Sequence, residues 1–184
     1  MDSGGTPTVL VVDDDEAVAD VYANQLARTY DVLTAYSGES ALEVVSDDVD
    51  VVLLDRRMHG LSGREVLDTV RERDLSCGVV MVTAVDPGFD IVDMGFDDYL
   101  VKPVDGEELE SVVAETVDRL NRRAAVREYL ALASKVATLR ADRTDTELER
   151  SDEYLALVER MRELEENADV DPQTIDAPAD VRAG

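Results

Sequence analysis

The chain has little cysteine, little histidine and little positive charge. Its single cysteine, Cys77, cannot close an internal disulfide, which agrees with a reducing compartment. Its single histidine, His59, has no histidine partner and is read as a polar loop residue rather than a metal ligand. No apolar run approaches the ~18 residues of a membrane span, so a soluble protein without a membrane partner is expected. The first residues, Met-Asp-Ser-Gly-Gly-Thr-Pro, carry no positive n-region, so no secretory signal is expected and the cytoplasm is the expected location. Basic residues number 18 against 43 acidic, a formal charge of −25, and the cations are almost all arginine. Such a surface repels itself unless salt screens it, and the Debye length falls to ~3 Å at 1 M. A salt-adapted cytoplasm is expected, and nonspecific binding to nucleic acid is disfavoured.

Against these shortages stand 184 residues of which 45% are apolar, enough for one ordinary domain with a core plus an appendage. Short β-branched or aliphatic runs at Val9–Val12, Val32–Ala35, Val51–Leu54, Val79–Val82 and Tyr99–Val101 read as five strands. Helical spacing separates them: Ala17 to Leu26, Ser37 to Val45 and Glu65 to Val70. Alternation of this kind predicts an α/β fold with a parallel sheet covered on both faces, and it explains the unbroken run Val51-Val52-Leu53-Leu54. Open α/β sheets present their sites at the carboxyl ends of the strands. Asp13 and Asp14, Asp55, Thr83 and Lys102 all stand at such ends.

Three clustered carboxylates repel one another unless a cation compensates, and oxygen-only ligands suit Mg²⁺ or Mn²⁺. Mg²⁺ favours sites shared with a phosphate, and a lysine beside it would neutralise a second face of that phosphate. Phosphoryl transfer to a carboxylate needs such a set, with Asp55 as the best nucleophile. Each residue has a plainer reading alone: Asp13 or Asp14 as a helix N-cap, Thr83 as a strand-end hydroxyl, Lys102 as a solvated charge, Tyr99 as strand packing.

The blocks Val11-Val12-Asp13-Asp14, Leu53-Leu54-Asp55, Val82-Thr83-Ala84 and Asp97-Asp98-Tyr99-Leu100-Val101-Lys102-Pro103 resemble the receiver domain of two-component response regulators. The resemblance implies a five-stranded flavodoxin-like domain that takes a phosphoryl group from a sensor histidine kinase. By position, it makes Asp55 the phosphoacceptor. It gives the metal to Asp13, Asp14, Asp55 and the main-chain carbonyl of Arg57, and the phosphoryl oxygens to Thr83, Ala84 and Lys102. Thr83 and Tyr99 become the switch pair, and Pro103 is expected to follow a cis bond. Two positions depart from the family pattern. His59 stands where proline is usual, and Arg57 places a long side chain beside the nucleophile, where it could obstruct attacking water. Gly63 matches a family glycine, read here as a place for positive φ.

After Pro103, Asp105 and Glu108 form a capping-box pattern, and Leu109, Val112, Val113, Thr116, Val117 and Leu120 make a helical stripe. The helical pattern continues without a breaker into a second, out-of-phase stripe, Tyr129, Leu132, Val136 and Leu139. Thr144 and Glu147 then cap a helix carrying Tyr154, Leu157, Met161, Leu164 and Ala168. These stripes predict a helical hairpin or a coiled coil across a dimer. The expected organisation is a receiver over 7–120, a helical domain over 121–168 and a disordered tail over 169–184. The block Glu128-Tyr129-Leu130-Ala131-Leu132-Ala133-Ser134-Lys135-Val136-Ala137-Thr138-Leu139 resembles the HalX domain that follows receivers in halophilic archaea. Acidic residues dominate its last helix, so a protein partner or a homodimer is expected over direct DNA binding. Two rival readings remain at this point: a Mg²⁺-dependent phosphohydrolase with Asp13 as nucleophile, and a receiver-like scaffold that signals without phosphate.

Overall fold

A computed structural model describes residues 5–168 and 170. The chain divides into two compact units between Asp118 and Arg119. In the first, strands β1 (Thr8–Val12), β2 (Asp31–Ala35), β3 (Val51–Leu54), β4 (Gly78–Thr83) and β5 (Asp98–Val101) form one sheet in the order β2-β1-β3-β4-β5. Every pairing is parallel. Helices α1 (Glu16–Leu26), α2 (Gly38–Val44) and α3 (Gly63–Glu72) alternate with the strands, and α4 (Gly106–Asp142) follows β5. Between β4 and β5 the described residues form only a 3-10 turn, Phe89–Ile91.

Side chains alternate across the sheet, as the period of a strand requires. Val9, Val11, Val51, Leu53, Val80 and Val82 pack with Leu26 of α1 and with Leu109 and Val113 of α4. Leu10, Val12, Val52, Leu54, Val79 and Met81 pack with Ala41 of α2 and with Val66, Leu67 and Val70 of α3. All four residues of β3 are therefore buried, which is why its sequence is apolar throughout. At the far end of β4 and β5, Arg71 of α3 donates to the carbonyls of Gly95 and Cys77 and to Asp97 Oδ2, each at 2.8 Å. Asp97 Oδ2 also accepts from the Val79 amide.

In the second unit the later part of α4 packs with α5 (Asp145–Leu148) and α6 (Asp152–Asn167) around Tyr129, Ala133, Val136, Leu148, Met161 and Leu164. The pairs Arg140–Tyr154 and Tyr129–Glu165 run in opposite chain directions, so α6 returns antiparallel along α4 as an intrachain hairpin. The helix expected after Thr144 is broken in two. Thr144 and Glu147 form their capping box, but the chain leaves the helix at Glu149 and restarts at Ser151, whose hydroxyl accepts from the Tyr154 amide. Val170 is buried in this core; the rest of the tail expected over 169–184 lies outside the described residues.

Candidate functional site

The register of the sheet assembles the site. Val12 lies opposite Leu54 and Thr83 opposite Val101, so the residues that follow on β1, β3 and β5 emerge along one edge. The ladder runs on past the strand ends: the Asp55 amide donates to Val12 O at 2.9 Å and the Lys102 amide to Thr83 O at 2.9 Å. These main-chain bonds fix Asp13, Asp55 and Lys102 at neighbouring positions. The order of strands changes direction at β1 and β3, the switch point where open α/β sheets bind ligands.

Helix capping does not consume the acid pair. Asp15, not Asp13 or Asp14, is the N-cap of α1, accepting from the amides of Ala17 and Val18. The plainer capping reading of Asp13 and Asp14 is thus corrected: one further residue is needed to turn from strand into helix, and Asp15 occupies that place. Asp13, Asp14 and Asp55 each bring a carboxylate oxygen to within 4.8 Å of the others.

Lys102 Nζ bridges this cluster, donating to Asp13 Oδ2 and, at 3.3 Å, to Asp55 Oδ1. The other Asp55 oxygen accepts from the Arg57 amide at 3.0 Å. Burial raises the Asp55 pKa; Lys102 works against this and Asp13 adds to it. Burial also opposes the charge of Lys102, but its hydrogen bond to Asp13 and the field of Asp55 outweigh it, so its pKa is raised and it stays an ammonium. Asp14 behaves differently. Its pKa is lowered by the His59 amide and the His59 ring, which both donate to it.

Thr83 is buried at the end of β4, and its hydroxyl is 3.4 Å from the Val85 amide; the following Ala84 is exposed. Tyr99 is half-buried, stacks at an angle on Phe96 and donates from its hydroxyl to Val85 O at 2.7 Å. Thr83 and Tyr99 thus meet at one residue, Val85. The Lys102–Pro103 peptide bond is cis.

The loop after β3 departs from expectation at Gly63. Gly63 does not need positive φ; a Cβ there would stand 2.1 Å from the Asp55 carbonyl oxygen, so close approach of the α3 start to the residue that ends β3 demands glycine. Positive φ falls instead on Gly60, at 75°. The contact of His59 with Asp14 joins residues 45 apart, and no local pattern foretells it.

The donor set fits a hard divalent cation. It is made of carboxylate oxygens, one of them held ionised by hydrogen bonds, beside an ammonium that leaves the excess charge negative.

Comparison with known proteins gives the family. Residues 9–114 match the response regulator receiver domain, and residues 118–183 match the HalX domain. A Haloferax volcanii protein named "Putative transcriptional regulator" is 50% identical over 149 residues, 80% of this chain and 25% of that protein. The alkaline phosphatase synthesis transcriptional regulatory protein PhoP of Bacillus subtilis is 36% identical over 116 residues, 60% of this chain and 48% of PhoP. The chain thus spans between a quarter and a half of the length of these curated relatives. Among solved structures, the receiver domain of the Francisella response regulator 1452 aligns with a TM-score of 0.56 at 28% identity, covering 61% of this chain and 98% of that one. Receiver domains bind Mg²⁺ in an acidic pocket, and here Asp13, Asp14 and Asp55 form one. With the receiver match covering more than half of its length, the chain belongs to the response regulator receiver family and carries a HalX domain after the receiver.

Proposed function

We propose that this chain is a two-component response regulator that accepts a phosphoryl group on Asp55 from a sensor histidine kinase. The observation that carries the reading is the buried Asp55 carboxylate, held by Lys102 on one oxygen and by the Arg57 amide on the other, beside Asp13 and Asp14. In the transfer, the P–N bond of a phosphohistidine breaks and a P–O bond forms to Asp55. The electron pair of the broken bond stays on the imidazole nitrogen. Asp13, Asp14, Asp55 and the Arg57 carbonyl would hold Mg²⁺, with Mn²⁺ as a substitute. When bound, the ion spreads the negative charge of the phosphoryl oxygens.

Lys102 supplies the second positive charge and, with Thr83 and the main chain at Ala84, holds those oxygens. Movement of Thr83 toward them would disturb Val85, to which Tyr99 is also bonded, and so carry the event to the β4–β5 face. A two-state domain needs only a few kcal/mol of differential interaction for this.

Response regulators are typically signalling rather than catalytic proteins, and the relatives do not favour the phosphohydrolase and phosphate-free readings. The output is assigned to the helical unit, through a protein partner or a second copy of the chain, in the regulation of transcription. Of its arginines, Arg140 is engaged with Tyr154 and Arg160 with Glu128 across the hairpin, which favours a protein partner over DNA. Among the described residues no helix is long and apolar enough to cross a membrane, and the cytoplasm is the assigned location.

The test is intact mass after incubation with Mg²⁺ and acetyl phosphate in high salt. Gain of one phosphoryl group by the wild type and none by Asp55→Ala is expected. A gain that survives in Asp55→Ala would move the acceptor to Asp13 and favour the hydrolase.

A further inference from the structure

Asp14 Oδ2 accepts two hydrogen bonds from one residue, the His59 amide at 3.0 Å and the His59 ring Nδ1 at 2.6 Å. An ionised carboxylate can only accept, so Nδ1 carries the hydrogen. Two donors occupy both lone-pair directions of that oxygen and leave Oδ1 as the Asp14 atom with open acceptor capacity. Proline at position 59 could make neither contact, since it has no N–H and no ring donor. The His59 side chain is fully exposed, so packing does not hold it against Asp14. The loop that carries it is tied instead by its main chain: Gly60 turns at φ 75°, the Leu61 amide donates to Glu39 Oε1 at 3.2 Å, and the Gly63 amide donates to Arg56 O at 3.1 Å.

We propose that His59 is a positioning residue for the cation site, holding Asp14 through Oδ2 so that Oδ1 is presented to the ion shared with Asp13 and Asp55. The inference rests on the metal reading given under Proposed function. Hydrogen bonds that orient a ligating carboxylate are worth roughly 10- to 100-fold in metal affinity. Their effect is on the ligand's direction, and it is present before any phosphoryl group arrives.

The test is Mn²⁺ binding to the full chain in high salt, read by electron paramagnetic resonance without a phosphoryl donor, with the thermal midpoint of the metal-free protein as a check on folding. The wild type is expected to bind one ion. His59→Ala, which keeps the amide donor, should bind about tenfold more weakly at an unchanged midpoint. His59→Asn, whose side-chain amide offers a donor in place of Nδ1, should recover most of the loss. His59→Pro, lacking both donors, should bind no better than His59→Ala. Binding by His59→Ala within twofold of the wild type would overturn the inference while leaving the metal reading intact. Equal weakness of folded His59→Asn and His59→Ala would also overturn it. Absence of Mn²⁺ binding by the wild type itself would overturn the metal reading, and the inference with it.

Discussion

In the first unit Asp13, Asp55 and Thr83 are withdrawn from water at the ends of three adjoining strands, whereas in the helical unit the polar atoms of the core are spread along the hairpin. There Tyr129 is fully buried and its hydroxyl donates to Glu165 Oε1 at 2.8 Å, and Tyr154 accepts from Arg140 at 2.9 Å. Burial and the facing Glu165 both hold the Tyr129 phenol neutral, so the pair is a satisfied hydrogen bond without charge conflict. The strand-end cluster does contain conflict, since three carboxylates gather there and Lys102 pairs with two of them, Asp13 and Asp55. A region that pairs each polar group locally is specified by those pairs. A region that gathers unbalanced charge is poised for a ligand that balances it. On this comparison the proposed chemistry belongs to the first unit and the proposed recognition to the second.

The largest expected effect breaks the second side of that comparison. Tyr129→Ala removes a fully buried ring and should cost about 3–5 kcal/mol, melting the hairpin at lower urea when followed by far-UV circular dichroism. Phosphoryl labelling of Asp55 should persist, because no polar group of the cluster comes from that core. Loss of the label in Tyr129→Ala would mean that the division of labour is wrong. Gly63→Ala attacks the other side. Its Cβ would fall 2.1 Å from the Asp55 carbonyl oxygen, a backbone atom that cannot rotate away. A destabilisation of about 1–3 kcal/mol is expected together with loss of labelling, while the helical signal of the second unit is kept.

How much of this was legible depended on the range of the interaction. Strands buried on both faces demand continuous apolar runs, so β1, β3 and β4 stand out, and with them Asp13, Asp55 and Thr83 at their ends. The two stripes of α4 follow from helical period alone. What escaped depends on a single residue of offset or on distant approach. Asp15 rather than Asp13 or Asp14 caps α1, a shift of one or two positions along an acidic run that composition cannot resolve. The break at Glu149–Ser151 replaces one helix by two because Ser151 can cap where Arg150 cannot. Gly63 serves close packing rather than positive φ, and only the position of the Asp55 carbonyl reveals that. His59 reaches Asp14, and Arg71 reaches Asp97, across 45 and 26 residues, beyond any local pattern.

The smallest predicted effect is the sharpest test of the charge conflict. Burial raises the Asp55 pKa above 3.8 in the folded protein, with Lys102 opposing and Asp13 reinforcing the shift. Between 3.8 and that raised value the folded state binds more protons than the unfolded state, so stability falls as pH rises through the window, and the full penalty is present above it. Asp55→Asn removes the charge without removing the shape. It should therefore raise the urea midpoint of the first unit at neutral pH, and the gain should shrink as pH is lowered toward 3.8. A loss of stability at neutral pH would mean that attraction to Lys102 outweighs burial and the repulsion from Asp13. The strand-end cluster would then be a paired network of the same kind as Tyr129 with Glu165, and its readiness for a cation and a phosphoryl group would need another source than unbalanced charge.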